Sequence, residues 1–306
     1  MTFALLNLIS GLALLYLGAE GLVRGSSSLA FRLGLTRLVV GLTFVSFGTS
    51  MPEMVVSVQT AWNYQGDISL GNIIGSNICN IALILGISSL IRPVRVNAQV
   101  VRLQIPVMIF VSFLLLFMLN DRILSRPEGA CLFLMTIVYT FYSIYLARKE
   151  FNKTAVEYRP GSGYSPVRKP WIDTVMVVAG LAMLIGGAKY FVSGAVSMAK
   201  MLRISDAVIG LTIVAAGTSL PELATSAVAS FRKEGDIAIG NVVGSNIFNI
   251  LAILGAASMV RPIEMVEIKV TDIFIMIITA ILLLPLSLSG FIIKRWEGAL
   301  LLAVYA

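Results

Sequence analysis

The sequence contains no histidine, only two cysteines and few charged residues. Without histidine it cannot form histidine-ligated zinc sites, Ser-His-Asp triads or Cys-His dyads. Cys79 and Cys131 both lie in apolar runs, so neither a disulfide framework nor a CxxC metal motif is present. Charged residues make up 13% of the 306 residues, against about a quarter in soluble domains, and hydrophobic residues make up 58%. These values exclude a soluble globular protein and predict an all-α membrane protein.

Ten apolar stretches are long enough, or nearly so, to cross about 30 Å of hydrocarbon, and the last is short. They fall at residues 3–23, 38–62, 68–91, 104–120, 127–147, 171–198, 206–230, 237–260, 271–289 and 296–306. The polar segment 148–170 separates them into two groups of five. We therefore predict ten transmembrane helices, with one five-helix unit in residues 1–147, a linker at 148–170 and a second unit in 171–306.

The distribution of lysine and arginine predicts the orientation in the membrane. When alternate loops are assigned to opposite sides, the side of the linker carries 16 of the 23 basic residues. Cytoplasmic loops are enriched in such residues, so we expect a cytoplasmic linker, an external N-terminus and a location in the cytoplasmic (inner) membrane. The net charge of +7 is then explained by basic loops, and it does not indicate nucleic-acid binding.

The two groups of five helices share a repeated sequence at a constant offset of 169 residues. The segments GDISLGNIIGSNICNIALILGISSLIRP (66–93) and GDIAIGNVVGSNIFNILAILGAASMVRP (235–262) are identical at 17 of 28 positions without a gap. The same offset aligns VGLTFVSFGTSMPE (40–53) with IGLTIVAAGTSLPE (209–222). This register indicates an internal duplication.

Because each repeat holds an odd number of spans, the second must begin on the opposite side of the membrane from the first. We therefore predict two inverted five-helix repeats, an architecture in which transporters bind substrate near the bilayer midplane at the repeat interface. The first repeat ends at residue 147, and at the offset of 169 its equivalent would lie beyond Ala306. The second repeat is therefore expected to be truncated in its last helix.

Two acidic residues lie near the middle of predicted spans, with apolar residues for several turns on both sides. These are Glu53 and Glu222, which occupy equivalent repeat positions. A carboxylate at that depth costs several kcal/mol unless water, a cation or a polar partner meets it. The alternative is a pair of acids hydrogen-bonded to neighbouring helices for packing alone. Two such acids at matching positions favour one shared binding site.

Each glutamate follows a proline in the motif GTSxPE. Proline removes a backbone donor and displaces the carbonyl four residues earlier, here Gly48 and Gly217, so nearby carbonyls are free to face a cavity. An ordinary proline kink whose hydroxyls bond their own backbone is the alternative. Further ligand oxygens are expected from the hydroxyls before each proline, on Thr49, Ser50, Thr218 and Ser219.

The third and eighth spans carry polar residues at a four-residue spacing, which places each set on one helix face. These sets are Asn72, Ser76 and Asn80, and Asn241, Ser245 and Asn249. Interhelical packing is the alternative to ligand binding, and it is our interpretation of the glycines of the same motif. We predict ligation by Ser76, Asn80, Ser245 and Asn249, whereas Asn77 and Asn246 fall off that face and are expected to be structural.

The candidate ligands are all oxygens, which calcium, sodium and magnesium prefer. Magnesium loses its water reluctantly, so a dry protein site favours calcium or sodium. A sodium-coupled solute symporter would need an organic-substrate pocket, and no aromatic or basic group lies beside the two acids in sequence. We do not expect an enzyme, because the remaining Ser-Lys option would need a lysine deeper in a span than Lys189, Lys200 or Lys269. A channel stays open as an alternative.

The paired motifs GTSMPE with GNIIGSN and GTSLPE with GNVVGSN resemble the two alpha-repeats of the calcium/cation antiporter superfamily, in particular prokaryotic sodium/calcium exchangers. The resemblance covers nearly the whole chain. It implies a fold of two inverted repeats and alternating access by sliding of the first and sixth helices. It also implies a secondary antiporter that exchanges calcium for sodium, with no cofactor and with the lipid bilayer and the two ions as its partners. No obligatory protein partner is evident.

The resemblance also implies roles for individual residues. Glu53 and Glu222 would ligate calcium and share sodium, together with the threonines and serines before them. Ser76 and Ser245 would complete outer sodium sites, and Asn80 and Asn249 would line the centre. Two further residues, Ser46 and Ala215, would offer backbone carbonyls.

Two departures from related branches bear on the counter-ion. Some relatives carry aspartate where this chain has Asn80 or Asn249, and an aspartate on the eighth helix is associated with potassium dependence. The proton/calcium branch carries acids where this chain has Gly75 and Gly244. The resemblance therefore favours a sodium/calcium exchanger and leaves a calcium/proton or potassium-dependent antiporter as alternatives.

Overall fold

The computed structural model describes residues 2–155, 169–202 and 215–305. Within these ranges the chain is almost entirely helical, with four two-residue strands. Seven of the described helices are long and apolar enough to cross a membrane, and an eighth span results if α2 and α3, which meet at a bend of 48°, count as one. The expectation of an all-helical membrane protein is therefore met.

The helices follow the predicted spans in order. Their bounds are α1 Thr2–Arg32, α2 Arg37–Thr49, α3 Met51–Trp62, α4 Gly66–Ile91, α5 Val100–Asp121, α6 Arg126–Ala155, α7 Pro170–Met201, α8 Ala215–Gly217, α9 Leu220–Phe231, α10 Gly235–Val260, α11 Val270–Leu288 and α12 Arg295–Tyr305.

Two of the ten predicted spans are represented by short helices. The span 206–230 corresponds to α8 and α9, and its first part, up to residue 214, lies outside the described residues. The span 296–306 corresponds to α12, which has 11 residues. The count of ten transmembrane helices therefore stays a prediction.

Two element boundaries differ from the sequence-based prediction. The first helix continues to Arg32, nine residues beyond the predicted span, because its polar end packs against the start of α7. Helix α6, which corresponds to the fifth predicted span, continues to Ala155 and so occupies the beginning of the predicted linker 148–170. Residues 156–168 of that linker lie outside the described residues.

Helices α4 and α10 form the centre of the protein, and every residue from Ile237 to Ile247 of α10 is buried. The outer helices instead expose large apolar side chains, among them Phe3, Phe117, Phe141 and Trp171. Apolar side chains on the outside and a buried polar-rich pair of helices inside are the arrangement expected for a protein surrounded by lipid.

The four strands form two antiparallel pairs beside the helix ends. Strand β1 (Val94–Arg95) pairs with β4 (Ile292–Ile293), and β2 (Ile123–Leu124) pairs with β3 (Ile263–Glu264). In the first pair Val94 lies opposite Ile293, and in the second Ile263 lies opposite Leu124. These two contacts are equivalent at the offset of 169, so the two strand pairs correspond to each other and each of them joins the first repeat to the second.

Helices α1 and α7 pack against each other along a line of glycines spaced seven residues apart. A Cβ on Gly18 would lie 2.8 Å from the Gly180 carbonyl oxygen, and a Cβ on Gly180 would lie 2.8 Å from that of Gly18. The contacts run antiparallel, because Gly25 meets Asp173 at the start of α7 and Gly194 meets the beginning of α1. Small residues allow this close approach. The complete line consists of Gly11, Gly18, Gly25, Gly180, Gly187 and Gly194.

Candidate ion-binding site

The first GTSxPE motif interrupts its helix at Ser50, and the second interrupts its helix at Thr218 and Ser219. Ser50 has φ −83° and ψ 8°, and Ser219 has φ −86° and ψ 4°, so neither is helical. The proline two residues later lacks an N–H and crowds the carbonyl one turn before it, which accounts for a break at this position. A new helix starts directly after each serine and carries the glutamate in its first turn. The break therefore turns a hydroxyl and a carboxylate towards the protein interior.

The structure brings the two glutamates into one hydrogen-bond network. Both are buried, with 1% of each residue's surface exposed. Ser50 Oγ donates to Glu222 Oε1 at 2.8 Å, and Ser219 Oγ lies 3.3 Å from Glu53 Oε1. Each carboxylate thus contacts the serine of the opposite motif. These crossed contacts join the two motifs at the interface between the repeats.

The serines of α4 and α10 belong to the same network. Ser245 Oγ lies 3.0 Å from Ser50 Oγ, and Ser76 Oγ lies 3.4 Å from Ser219 Oγ. Both Ser76 and Ser245 are buried. The four serines are therefore arranged as two equivalent pairs, each beside one glutamate.

Four buried oxygens of this region lack a hydrogen-bond partner among the described residues. They are Glu53 Oε2, Glu222 Oε2, Asn80 Oδ1 and Asn249 Oδ1. Leaving such oxygens unpaired in a buried site is costly, most of all for a carboxylate. Two carboxylate and two amide oxygens are the kind of ligands that a hard cation prefers.

The threonine and serine that precede each break make mainly local contacts. Thr49 Oγ1 donates to the Val45 carbonyl at 3.1 Å and also lies 3.1 Å from Asn241 Oδ1. Ser46 Oγ donates to the Leu42 carbonyl, and the Ser46 carbonyl accepts the Ser50 N–H at 3.0 Å. Thr49 Oγ1 also lies 3.4 Å from the Ser46 carbonyl oxygen, so two donors already approach this oxygen, and its predicted role as a ligand stays a prediction.

The corresponding residues of the second repeat are described in part. Thr218 is half-buried directly before Ser219. Ala215 is the first residue of α8, and residues 203–214 before it lie outside the described residues. The predicted carbonyl contribution of Ala215 therefore stays a prediction.

Asn77 and Asn246 contact two of the predicted ligand residues, although their position on the helix face did not indicate this. Asn80 Nδ2 donates to Asn246 Oδ1 at 3.0 Å, and Asn249 Nδ2 donates to Asn77 Oδ1 at 2.9 Å. The expectation that Asn77 and Asn246 are structural overlooked these contacts, because a helix-face argument cannot show which residues of another helix lie opposite.

Sequence reasoning also missed Ser57 and Ser226. Asn72 Nδ2 donates to Ser57 Oγ, and Asn241 Nδ2 donates to Ser226 Oγ, both at 3.0 Å. Each serine lies four residues after a glutamate, so these bonds fix the helix turn that carries the carboxylate. The signal was present in the sequence, because Ser57 and Ser226 are separated by the repeat offset of 169.

The glycines of α10 confirm the predicted close approach of helices in the second repeat. A Cβ on Gly244 would lie 2.6 Å from the Leu42 carbonyl oxygen, and one on Gly240 would lie 2.8 Å from that of Leu38. The equivalent partner of Gly75 in the first repeat is Leu211, which lies outside the described residues. The contact of α10 with α2 places Ser245 next to Ser50.

The described residues contain no cluster of three or more aspartate, glutamate or cysteine side chains able to hold a metal ion. A cation at this site would therefore be met by two carboxylates and by neutral hydroxyl, amide and carbonyl oxygens. Two carboxylates balance the charge of one calcium ion, and the same set of oxygens is also suited to sodium.

Comparison with known proteins identifies relatives over the full length of the chain. Residues 3–145 and 172–306 match the family described as sodium/calcium exchanger protein. The chain is 37% identical over 312 residues to the putative antiporter CaxA of Alkalimonas amylolytica, covering 100% of this chain and 97% of that protein. It is 34% identical over 346 residues to the sodium/calcium exchanger MaX1 of Methanosarcina acetivorans, again covering 100% and 97%.

A solved structure has the same fold. The sodium-calcium exchanger NCX_Mj, soaked with sodium and strontium, superposes with a TM-score of 0.85 at 32% sequence identity. The alignment covers 99% of this chain and 96% of NCX_Mj. Sequence and structure agree, and the chain belongs to the sodium/calcium exchanger family.

Proposed function

We propose that this protein is a secondary active antiporter that exchanges calcium for sodium across a membrane by alternating access. The observation that carries the proposal is the set of four buried oxygens without partners, on Glu53, Glu222, Asn80 and Asn249. The crossed contacts of the other oxygen of each glutamate, Oε1, with the serine of the opposite repeat support one shared site. Occupation by calcium or by sodium, but not both together, couples the two fluxes.

We further propose that the chain forms ten transmembrane helices in two inverted repeats. Two features support this architecture. The antiparallel packing of α1 against α7 is the relation that an inverted repeat gives to equivalent helices. The two strand pairs also match at the repeat offset. The excess of basic residues on the linker side supports an inner-membrane location with a cytoplasmic linker and an external N-terminus.

The same site defines what alternating access must achieve. The four oxygens are buried, so the cation can leave only when neighbouring helices move. Helices α1 and α7 are joined closely along their glycine line and lie at the outside of the protein, which suits them to move as one unit. The resemblance to the antiporter superfamily assigns the sliding movement to this pair of helices.

Calcium flux into proteoliposomes under a sodium gradient tests the proposal. Wild-type protein should take up calcium when sodium is loaded inside, and potassium or proton gradients should not replace sodium. Glu53→Gln and Glu222→Gln should each abolish uptake, because each removes one of the two charges that balance calcium.

A matched control is available outside the membrane core. Glu264 lies on strand β3 with an exposed side chain, so Glu264→Gln should keep wild-type uptake. Full uptake in either of the buried-glutamate variants would refute the assigned site. Calcium uptake driven by a potassium or proton gradient alone would identify that ion, and not sodium, as the counter-ion.

A further inference from the structure

Asn80 and Asn249 can serve a cation only in one of two amide orientations. An amide carries an oxygen acceptor on one side and an NH2 donor of nearly the same size on the other. In the flipped orientation the NH2 group would point at the cation and repel it. A site built on asparagine therefore needs something that fixes the orientation, whereas a site built on aspartate does not.

The orientation of Asn77 and Asn246 is fixed by the backbone of the opposite repeat. Asn77 Nδ2 donates to the Asn246 carbonyl at 3.3 Å, and Asn246 Nδ2 donates to the Asn77 carbonyl at 3.3 Å. Each NH2 group also approaches a methionine sulfur, Met276 Sδ at 3.6 Å and Met108 Sδ at 3.5 Å. A flip would place the amide oxygen against another carbonyl oxygen, so only one orientation satisfies these groups.

The fixed amides in turn orient the two residues of the site. With its NH2 group on the protein backbone, Asn77 presents Oδ1 to the Asn249 NH2 group, and Asn246 presents Oδ1 to the Asn80 NH2 group. All four asparagines are at most 2% exposed, so bulk water does not compete for these bonds. The oxygens of Asn80 and Asn249 are the atoms left without a partner.

We propose that Asn77 and Asn246 are positioning residues that hold the amide oxygens of Asn249 and Asn80, respectively, towards the bound cation. The effect is crossed, because each positioning residue acts on the asparagine of the opposite repeat. The inference deepens the proposed function and rests on it for the identity of the cation.

The crossed arrangement separates positioning from packing. An aspartate has an oxygen in both positions of its planar group, so it needs no orientation. With aspartate at position 249, Asn77 should therefore no longer be needed to orient the ligand there. Asn246 should still be needed to orient Asn80. If Asn77 only filled space between α4 and α10, its loss would cost the same whichever residue occupied position 249.

The experiment measures calcium and sodium binding to the purified full chain by isothermal titration calorimetry. Asn77→Ala is made in the wild-type, Asn249→Asp and Asn80→Asp backgrounds. We expect calcium affinity to fall by about 10- to 100-fold in the wild-type and Asn80→Asp backgrounds, the usual cost of losing a group that orients a ligand. In the Asn249→Asp background the loss should disappear.

The mirror-image set uses Asn246→Ala. Its effect should disappear in the Asn80→Asp background and persist in the Asn249→Asp background. An equal loss in all backgrounds, or no loss in any, would overturn the proposal. Asn77→Leu, which is close in shape to asparagine, replaces the alanine variant if that variant does not fold. If neither folds in any background, the role is structural and the proposal is wrong.

Binding and flux together separate this inference from the proposed function. A crossed pattern in cation binding without sodium-driven calcium uptake would uphold the positioning role and refute the exchange. Sodium-driven calcium uptake without the crossed pattern would uphold the exchange and refute the positioning role. A wild-type protein that binds neither cation would refute both.

Discussion

The centre of the protein and the end on the linker side differ in how far the two repeats agree. At the centre, Ser50 contacts Glu222 and Ser219 contacts Glu53, and Asn77 and Asn246 exchange equivalent bonds. On the linker side, the ion pairs have no such equivalents. The repeat offset matches Glu20 with Lys189, so a charge of one sign in the first repeat corresponds to the opposite sign in the second.

Three contacts illustrate the divergence of the linker side. Glu20 on α1 pairs with Arg232 at the end of α9, and Arg37 pairs with Glu234 at 2.7 Å. Arg32 Nε donates to Asp173 at 2.7 Å, joining the end of α1 to the start of α7. The positions equivalent to Asp173 and Arg32 hold Ala4 and Met201.

This difference has a physical explanation. A cation that enters from one side and leaves to the other must be held by the same ligands whichever side is open, and a two-fold arrangement provides the same ligands towards both sides. The two ends of the molecule face different solutions and need not match. Variants made in equivalent pairs should therefore change the same property in the same direction at the centre and in the α1–α7 contact, but not on the linker side.

The largest effect is expected from the glycine line between α1 and α7. Gly187→Val should strongly destabilise the protein, because a Cβ there would lie 2.8 Å from the Leu15 nitrogen and 3.0 Å from the Gly11 carbonyl oxygen. Forcing a side chain into a packed contact costs about 1–3 kcal/mol, occasionally more. The midpoint of thermal unfolding in detergent measures the loss.

Neighbouring and equivalent glycines provide the controls for this prediction. Gly186→Val should be tolerated, because no described atom lies within 4 Å of a Cβ at Gly186. Gly18→Val should match Gly187→Val, since Gly18 is its equivalent and its Cβ would lie 2.8 Å from the Gly180 carbonyl oxygen. A tolerated Gly18→Val beside a destabilising Gly187→Val would show that this contact is not equivalent in the two repeats.

An effect no larger than this, on calcium affinity and not on stability, is expected from the serines at the helix breaks. Ser50→Ala and Ser219→Ala should both lower calcium affinity, because each removes a hydroxyl bonded to a glutamate. A hydrogen bond to a charged group contributes about 1.5–3 kcal/mol, or roughly tenfold to a hundredfold in affinity. Ser50→Ala should cost more, since its bond of 2.8 Å is within the usual range and that of Ser219, at 3.3 Å, is long.

Calcium titration of the purified variants measures both affinities side by side. Ser197→Ala is the control, because Ser197 is partly exposed on α7 and its hydroxyl donates to the Ser193 carbonyl of its own helix, away from the two glutamates. A larger loss of calcium affinity for Ser219→Ala than for Ser50→Ala would contradict the prediction that the shorter hydrogen bond contributes more.

Much of the fold and of the site was accessible from the sequence. A carboxylate among apolar residues is conspicuous, so Glu53 and Glu222 could be identified without a structure. The constant offset of 169 then related every other candidate to an equivalent. The helical class and the order of the spans followed from hydropathy alone, because lipid allows few alternatives to a helix.

The remaining features depend on which helix faces lie opposite each other. The contact of Asn77 with Asn246 joins residues 169 positions apart, and helix periodicity alone cannot predict it. The end of α1 at Arg32 was missed because its polar last turns pack against Asp173 rather than lipid. The spacing of Gly11, Gly18 and Gly25 was visible in the sequence, yet only the structure shows that it faces α7.

The smallest effect is expected from the ion pair on the linker side. Glu20→Gln removes the charge that ties α1 to Arg232, whose side chain is 35% exposed. Such a pair contributes about 0.2–1 kcal/mol, so the balance between the two access states should shift by no more than about fivefold. Loosening this side should raise calcium affinity measured from the linker side, because a larger fraction of the protein is then open to it. Vesicles of both orientations allow the calcium affinities of the two sides to be compared, and the shift should shrink when choline chloride screens the charges.

The control is Lys189→Gln, at the equivalent position, where the side chain is exposed. This variant should leave the calcium affinity unchanged on both sides. Equal changes in both variants would mean that the linker side follows the two-fold arrangement of the centre after all.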